Sequence, residues 1–183
     1  MATPGPAIEY PFWPMVRTPS QLGGEPWENL LSVLNSEEEK TVHFFNEPNK
    51  EGIPPANAAN MWKDAMLPLH HGYNAKLLSP GCASNGDGTR WLDEFMGLTD
   101  DEKPDYIALR FYTTADESAD KEVLADKQYL KTRHEQHNLP VIINELASTS
   151  RDLNIVRKFR TESRGAIDGD GPWTELGKWF VGG

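Results

Sequence analysis

A single cysteine, Cys82, stands among 183 residues, so no internal disulfide can form and the fold must hold by packing. Cations are scarce. Lys and Arg total 18 against 28 Asp and Glu, and the resulting charge of -10 repels phosphate backbones and anionic membrane surfaces alike. Nucleic acid and membrane partners are therefore not expected, and the natural ligand should be neutral or small. No apolar run is long enough to span a bilayer. The start, MATPGPAIEYPFW, shows no basic stretch followed by an apolar one, and no Asn-x-Ser/Thr sequon occurs, so nothing here supports export. The glycine-rich loop Gly81–Gly88 lacks the spacing of a phosphate cradle, and Cys82 has no histidine beside it to make a thiol nucleophile.

What is present reads as one globular domain over 1–183, with 38% hydrophobic and 25% charged residues. Short β-branched and aromatic runs predict strands near Glu9–Val16, at the edge because of Pro11 and Pro14, and at Thr41–Asn46, Lys76–Pro80, Asp105–Tyr112, Pro140–Leu146 and Lys178–Val181. Between them, apolar residues at helical spacing predict helices over Trp27–Leu34, Ala56–His70, Trp91–Leu98, Ala115–His137 and Arg151–Phe159, with a loop over Gly165–Gly171. Strand and helix alternate throughout. That pattern predicts an α/β fold with about six parallel strands and outer helices.

In such a fold, reactive groups stand at the carboxyl ends of strands, where Glu47, Tyr112 and Glu145 are predicted to lie. Pro48 ends the run TVHFFNEP and is expected to hold Glu47 in extended geometry while forcing a turn. Glu47 and Glu145, brought to one rim, would supply the two carboxyl groups of glycoside hydrolysis: one to protonate the leaving oxygen, one to attack the anomeric carbon or activate water. Taken locally, the plainer reading of each is a solvated loop acid, and only context argues otherwise. Of the tryptophans most should pack the core, while Trp13, Phe111 and Trp179, nearest predicted strand ends, are the candidates for stacking on sugar. His43 lies inside a strand and reads as a packed histidine. His70-His71 point apart, and His134 with His137 find no third ligand, so no metal is expected.

Asn46-Glu47-Pro48, Pro14-Met15, Trp91-Leu92-Asp93-Glu94-Phe95, Arg110-Phe111-Tyr112 and Pro140 with Glu145, in this order, make the chain resemble glycoside hydrolase family 128, β-1,3-glucanases of the clan A barrels, many of them fungal. The resemblance implies retaining double displacement on β-glucan without a cofactor. By it, Glu47 is general acid/base after the fourth barrel strand, Asn46 contacts the sugar 2-hydroxyl, Glu145 is nucleophile after the seventh, and Tyr112, after the sixth, hydrogen-bonds the nucleophile. It leaves endo or exo action open, and the family's extracellular habit sits beside a chain with no leader in view.

The chain also departs from the family. Ile142-Ile143-Asn144-Glu145-Leu146 replaces Trp-x-Thr-Glu-Phe, and Arg110-Phe111-Tyr112 replaces His-Trp-Tyr. A guanidinium at 110 is expected to pair with a catalytic carboxylate and to weaken it as an acid. Set against the family's eight-stranded barrel, the first two strands have no counterpart, so the resemblance implies a (β/α)8 TIM-barrel-like fold that is incomplete, with open sheet edges through which copies would self-associate. Two rivals follow: a β-glucan oligosaccharide-binding protein with impaired catalysis, and a truncated barrel fragment without activity.

Overall fold

In the computed structural model, residues 12–35, 40–114 and 117–167 are described, with side chains as far as Ser163. Among these residues five strands follow one another in chain order: β1 (Met15–Val16), β2 (Thr41–Phe44), β3 (Lys76–Leu78), β4 (Ile107–Tyr112) and β5 (Val141–Ala147). β1, β2 and β3 pair in parallel as one sheet, and β4 and β5 pair in parallel as another. All four residues of β2 and the first four of β4 are buried, so both faces of these strands are covered, including where they carry Thr41, His43 and Arg110.

One parallel bridge, Leu78 to Tyr106, joins the sheets. Side chains complete the seam. Ala108 N donates to Ser79 Oγ at 2.9 Å, and Leu77 N donates to Asp105 Oδ2 at 2.9 Å, so two amides that a regular ladder would pair with carbonyls are satisfied by a hydroxyl and a carboxylate.

The helices α1 (Gly24–Leu34), α2 (Pro55–Met61), α3 (Leu67–Tyr73), α4 (Gly86–Leu98), α5 (Ala119–His137) and α6 (Leu153–Ile167) lie between and after the strands. The main core contains Val42, Phe44, Leu77, Ile107, Leu109 and Val141 from the strands, packed with Leu30, Trp62, Leu69, Phe95 and Leu130 from the helical segments. Alternate strand residues Leu78, Ala108 and Ile142 form a separate small cluster on the opposite face. Phe44 stacks on Phe45 at 3.8 Å and Trp62 meets Phe44 and Phe95 edge-on at 5.5 and 5.8 Å, an aromatic knot whose truncation at any ring should cost about 3–5 kcal/mol. The result is the expected α/β arrangement of parallel strands and flanking helices, part of a (β/α)8-like barrel.

Boundaries shift where local chemistry was not visible in the apolar pattern. The helix expected over Ala56–His70 is three segments, α2, a π-helical turn at Trp62–Met66 and α3; Pro68, with no N–H to return to the preceding turn, stands where the ladder is re-spaced. α4 begins at Gly86 rather than Trp91, because Asn85 Oδ1 accepts from Gly88 N at 2.9 Å and caps it. Gly81, Cys82 and Ala83 are buried, so the stretch expected as a surface loop starts inside the molecule. α6 runs through Ile167, past the loop start expected at Gly165. The sixth expected strand, Lys178–Val181, and with it Trp179, lies outside the described residues.

Candidate active site

β2 ends at Phe44, and the next three residues break its alternation. Phe45 has φ 40° and Glu47 has φ 44°, so two side-chain-bearing residues on either side of Asn46 occupy the left-handed region. Such geometry costs on the order of 1–3 kcal/mol per residue and collects at functional sites. It turns Phe45 into the core beside Phe44 and carries Glu47 over to the carboxyl end of the sheet. The expected extended geometry at Glu47 is thus overturned: Glu47 N donates to Gly81 O at 2.8 Å while its carbonyl accepts from Lys50 N at 2.8 Å, and these bonds, not the Pro48 ring, set the turn.

Glu145 lies within β5, and a bulge puts it there usefully. Leu109 pairs with Ile143, but Arg110 pairs with Glu145, so Asn144 is an extra residue with no partner on β4. Regular alternation would send Glu145 to the face of Val141 and Ile143, into the helix layer. The added residue re-aims it to the face of Ala108 and Arg110.

Arg110 is the hub. It is 1% exposed. One terminal nitrogen stands 3.2 Å from Glu145 Oε1 and 3.7 Å from Glu47 Oε1, and the other donates to Asn46 Oδ1 at 3.1 Å. Two legs of 3.7 and 3.2 Å meeting at one nitrogen hold the carboxylate oxygens within about 7 Å of each other, a limit that contains the spacing of about 5–5.5 Å used by retaining glycosidases. Lys50 Nζ adds a second cation 2.5 Å from Glu47 Oε1. Tyr112 closes the far side, its hydroxyl donating to Glu145 Oε2 at 2.6 Å. That bond, with some burial behind it, pushes the Tyr112 phenol above its ordinary range.

Beneath the acids, Gly81 leaves room for the arginine. A Cβ there would lie 2.6 Å from an Arg110 nitrogen, 2.7 Å from Asn144 Nδ2 and 3.2 Å from His43 Nε2. His43 is buried, as expected of a core histidine, and burial together with the Arg110 charge pushes its imidazole down to about 3. Burial likewise pushes the Cys82 thiol up, which keeps it protonated. Among the described residues, no group of three or more His, Cys, Asp or Glu is placed to hold a metal ion.

The strand ends are tied to α5 from behind. Thr113 Oγ1 and Ser148 Oγ donate to the two oxygens of buried Glu122 at 2.9 and 2.8 Å, and Thr113 Oγ1 also accepts from Thr149 N at 2.9 Å. One turn on, Ser163 Oγ donates to Asp126 Oδ2 at 3.3 Å across to α6, leaving Oδ1 unpaired. Burial pushes the Asp126 carboxyl up to about 7, an effect the serine bond only partly offsets.

Of the residues singled out from sequence, the structure brings Asn46, Glu47, Tyr112 and Glu145 together. Phe111 turns away from the acids to pack against Tyr129 of α5, with ring centres 5.6 Å apart. Trp13 precedes β1, and since Met15 is level with His43 in a parallel pair, it sits at the amino end, opposite Glu47. Trp179 is outside the described residues. Sequence reasoning took Arg110 as a departure but did not find Gly81, lost in an apparent loop, or the bulge at Asn144, which has no composition signal.

Residues 3–180 match the family described as glycosyl hydrolase catalytic core. The fold is similar to a family 128 (subgroup VI) exo-β-1,3-glucanase from Aureobasidium namibiae, with 36% identity, a TM-score of 0.75, and coverage of 89% of this chain and 61% of that one. It is also similar in fold to a family 128 (subgroup II) endo-β-1,3-glucanase from Sorangium cellulosum, at 20% identity and TM-score 0.73, covering 89% and 66%, and to a family 128 (subgroup VII) oligosaccharide-binding protein from Cryptococcus neoformans, at 15% and 0.64, covering 87% and 64%. This chain therefore spans less than two thirds of the length of these relatives. A comparison with curated proteins finds no match. With the match running over nearly the whole chain and these solved relatives belonging to family 128, the resemblance read from Asn46-Glu47-Pro48 and Arg110-Phe111-Tyr112 is borne out, and the chain belongs to the glycosyl hydrolase catalytic core family.

Proposed function

We propose that this chain is a retaining glycoside hydrolase that cleaves β-1,3-glucan by double displacement. The observation that supports it is the convergence of Glu47 and Glu145 on one guanidinium, with oxygens within about 7 Å, toward the carboxyl ends of parallel strands from the two sheets. In the first step, a Glu145 oxygen bonds to the anomeric carbon as the glycosidic bond breaks, and Glu47 gives its proton to the departing oxygen. In the second, Glu47 takes a proton from water, whose oxygen displaces Glu145. Tyr112 holds Glu145 Oε2 through its hydroxyl, and Arg110 holds Oε1, so the nucleophile has one orientation. Asn46, fixed by Arg110, faces the same space and is assigned to the sugar hydroxyl next to the reacting carbon.

A second reading has its own observation. Glu47 has two cationic neighbours, Lys50 and Arg110, where the first step needs a proton donor. This surrounding suits a protein that binds β-glucan oligosaccharide without cutting it. Release of reducing ends from laminarin separates the two. The hydrolase reading expects release by the wild type, a fall of about 10²–10⁴-fold in Glu47→Gln and at least as much in Glu145→Gln, with oligosaccharide binding retained. Binding without release in the wild type establishes the second reading. Neither binding nor release overturns both.

A further inference from the structure

Four buried side-chain atoms close to the acid pair have no hydrogen-bond partner among the described residues: His43 Nε2, Arg110 Nε, and both Nδ2 and Oδ1 of Asn144. Their side chains meet at Gly81. Arg110 Nη2, Asn144 Nδ2 and His43 Nε2 lie 2.6, 2.7 and 3.2 Å from one point, the place where a Cβ on Gly81 would stand. Native folds leave few buried polar groups without a partner, so three such side chains around one glycine call for a shared explanation.

Asn144 comes to this point through the bulge. It keeps the face of Ile142 while Glu145 is turned onto that same face, so an amide and a carboxylate arrive side by side from one strand. An apolar side chain would be the cheaper occupant. What the amide supplies is an acceptor. Arg110 Nη2 gives one proton to Asn46 Oδ1 at 3.1 Å and has a second to give, and Asn144 Nδ2 stands within about 5.3 Å of it. With the amide turned end for end, which its shape allows, Oδ1 takes the place of Nδ2 and accepts from Arg110 and from the Nε2–H form of His43, directly or through one water. His43 does not repel the guanidinium, because burial first and the Arg110 charge second push its imidazole down to about 3 and keep it neutral.

We propose that Asn144 is a positioning residue: with His43 and Gly81 it forms a buried cradle that fixes the Arg110 guanidinium between Glu47 and Glu145. One nitrogen of Arg110 faces both carboxylates, at 3.7 and 3.2 Å, so whatever fixes Arg110 fixes their spacing. The effect on turnover rests on the glucan reading; the effect on Arg110 does not.

The test compares the wild type with Asn144→Leu, since leucine has the branching of asparagine and no polar atom. The first readout is solvent exchange of the Arg110 guanidinium protons, followed by ¹⁵N NMR, and it is expected to be at least about tenfold faster in the variant at an unchanged melting temperature. The second is laminarin hydrolysis, with kcat expected to fall at least about tenfold and KM to stay within about twofold. Where Asn144→Leu does not fold, Gly81→Ala is expected to give the same two changes, because its Cβ presses on the ends of three side chains and not on backbone. Unchanged exchange in a folded variant overturns the cradle. Faster exchange with unchanged kcat overturns the positioning role. No release of sugar by the wild type overturns the glucan reading, and the exchange rate then decides by itself whether Asn144 holds Arg110.

Discussion

Arg110 shows how one side chain can organise a site without reacting in it. Its guanidinium is planar and permanently charged, so one group can orient Asn46, Glu47 and Glu145 at once, which a lysine ammonium could not do with the same fixity. Tyr112 holds Glu145, the proposed nucleophile, from the other side. Tyr112→Phe is expected to lower kcat about 10-fold or more with little change in oligosaccharide affinity, measured on laminarin, since the bond positions a reacting oxygen rather than the ligand. The phenol's own titration, followed by ultraviolet absorbance, is expected to fall back toward the ordinary tyrosine value in Glu145→Gln, because the bond to the carboxylate is what raises it.

Two buried groups set opposite pH slopes. His43 is a base whose folded value is depressed to about 3, so between there and its unfolded value the unfolded chain binds the extra proton and stability rises with pH. Asp126 is an acid whose folded value is raised to about 7, so from its unfolded value up to there the folded chain binds the extra proton and stability falls as pH rises. The two oppose each other in the overlap. Asp126→Asn removes one of them. Its stability relative to the wild type, from urea unfolding at several pH values, is expected to increase from about pH 4 to pH 7 with a slope of up to about 1.4 kcal/mol per unit; a flat difference would show that Asp126 is not held protonated.

At the scale of elements, the seam between β3 and β4 carries a burden that regular ladders carry elsewhere. Ser79→Ala leaves the buried Ala108 N without its acceptor, and a loss of about 1–3 kcal/mol is expected in chemical denaturation, although the residue lies in no helix or strand. Most elements were legible beforehand. β2 and β4 announced themselves by β-branched and aromatic runs, and α1 by Trp27, Leu30, Leu31 and Leu34 at helical spacing. What was not legible depends on partners distant in sequence: the left-handed turn at Glu47 is held by Gly81, and the bulge at Asn144 exists only relative to β4. Glu47, Tyr112 and Glu145 could be named from sequence because strand ends are readable; how they face one another could not, because that is decided by Arg110 and by the small size of Gly81.

For the whole molecule, charge decides the company it keeps. A net charge of -10 faces a proposed ligand with no charge at all, so no counterions are released on binding. Affinity for laminari-oligosaccharides is expected to change less than about twofold between 0.05 and 0.5 M salt, as read by calorimetry. A steep salt dependence would mean that the ligand is charged and would count against a glucan.

The seam has a mechanical side as well. Glu47 hangs from one sheet and Glu145 from the other, and among the described residues the backbone joins the sheets at the Leu78–Tyr106 bridge, through bonds from Ser79 N to Tyr106 O and from Asp105 N and Tyr106 N to Leu77 O. Widening at that seam would move Glu47 and Glu145 apart while each sheet kept its own ladder, so the spacing of the two carboxylates belongs to the joint between the sheets rather than to either sheet.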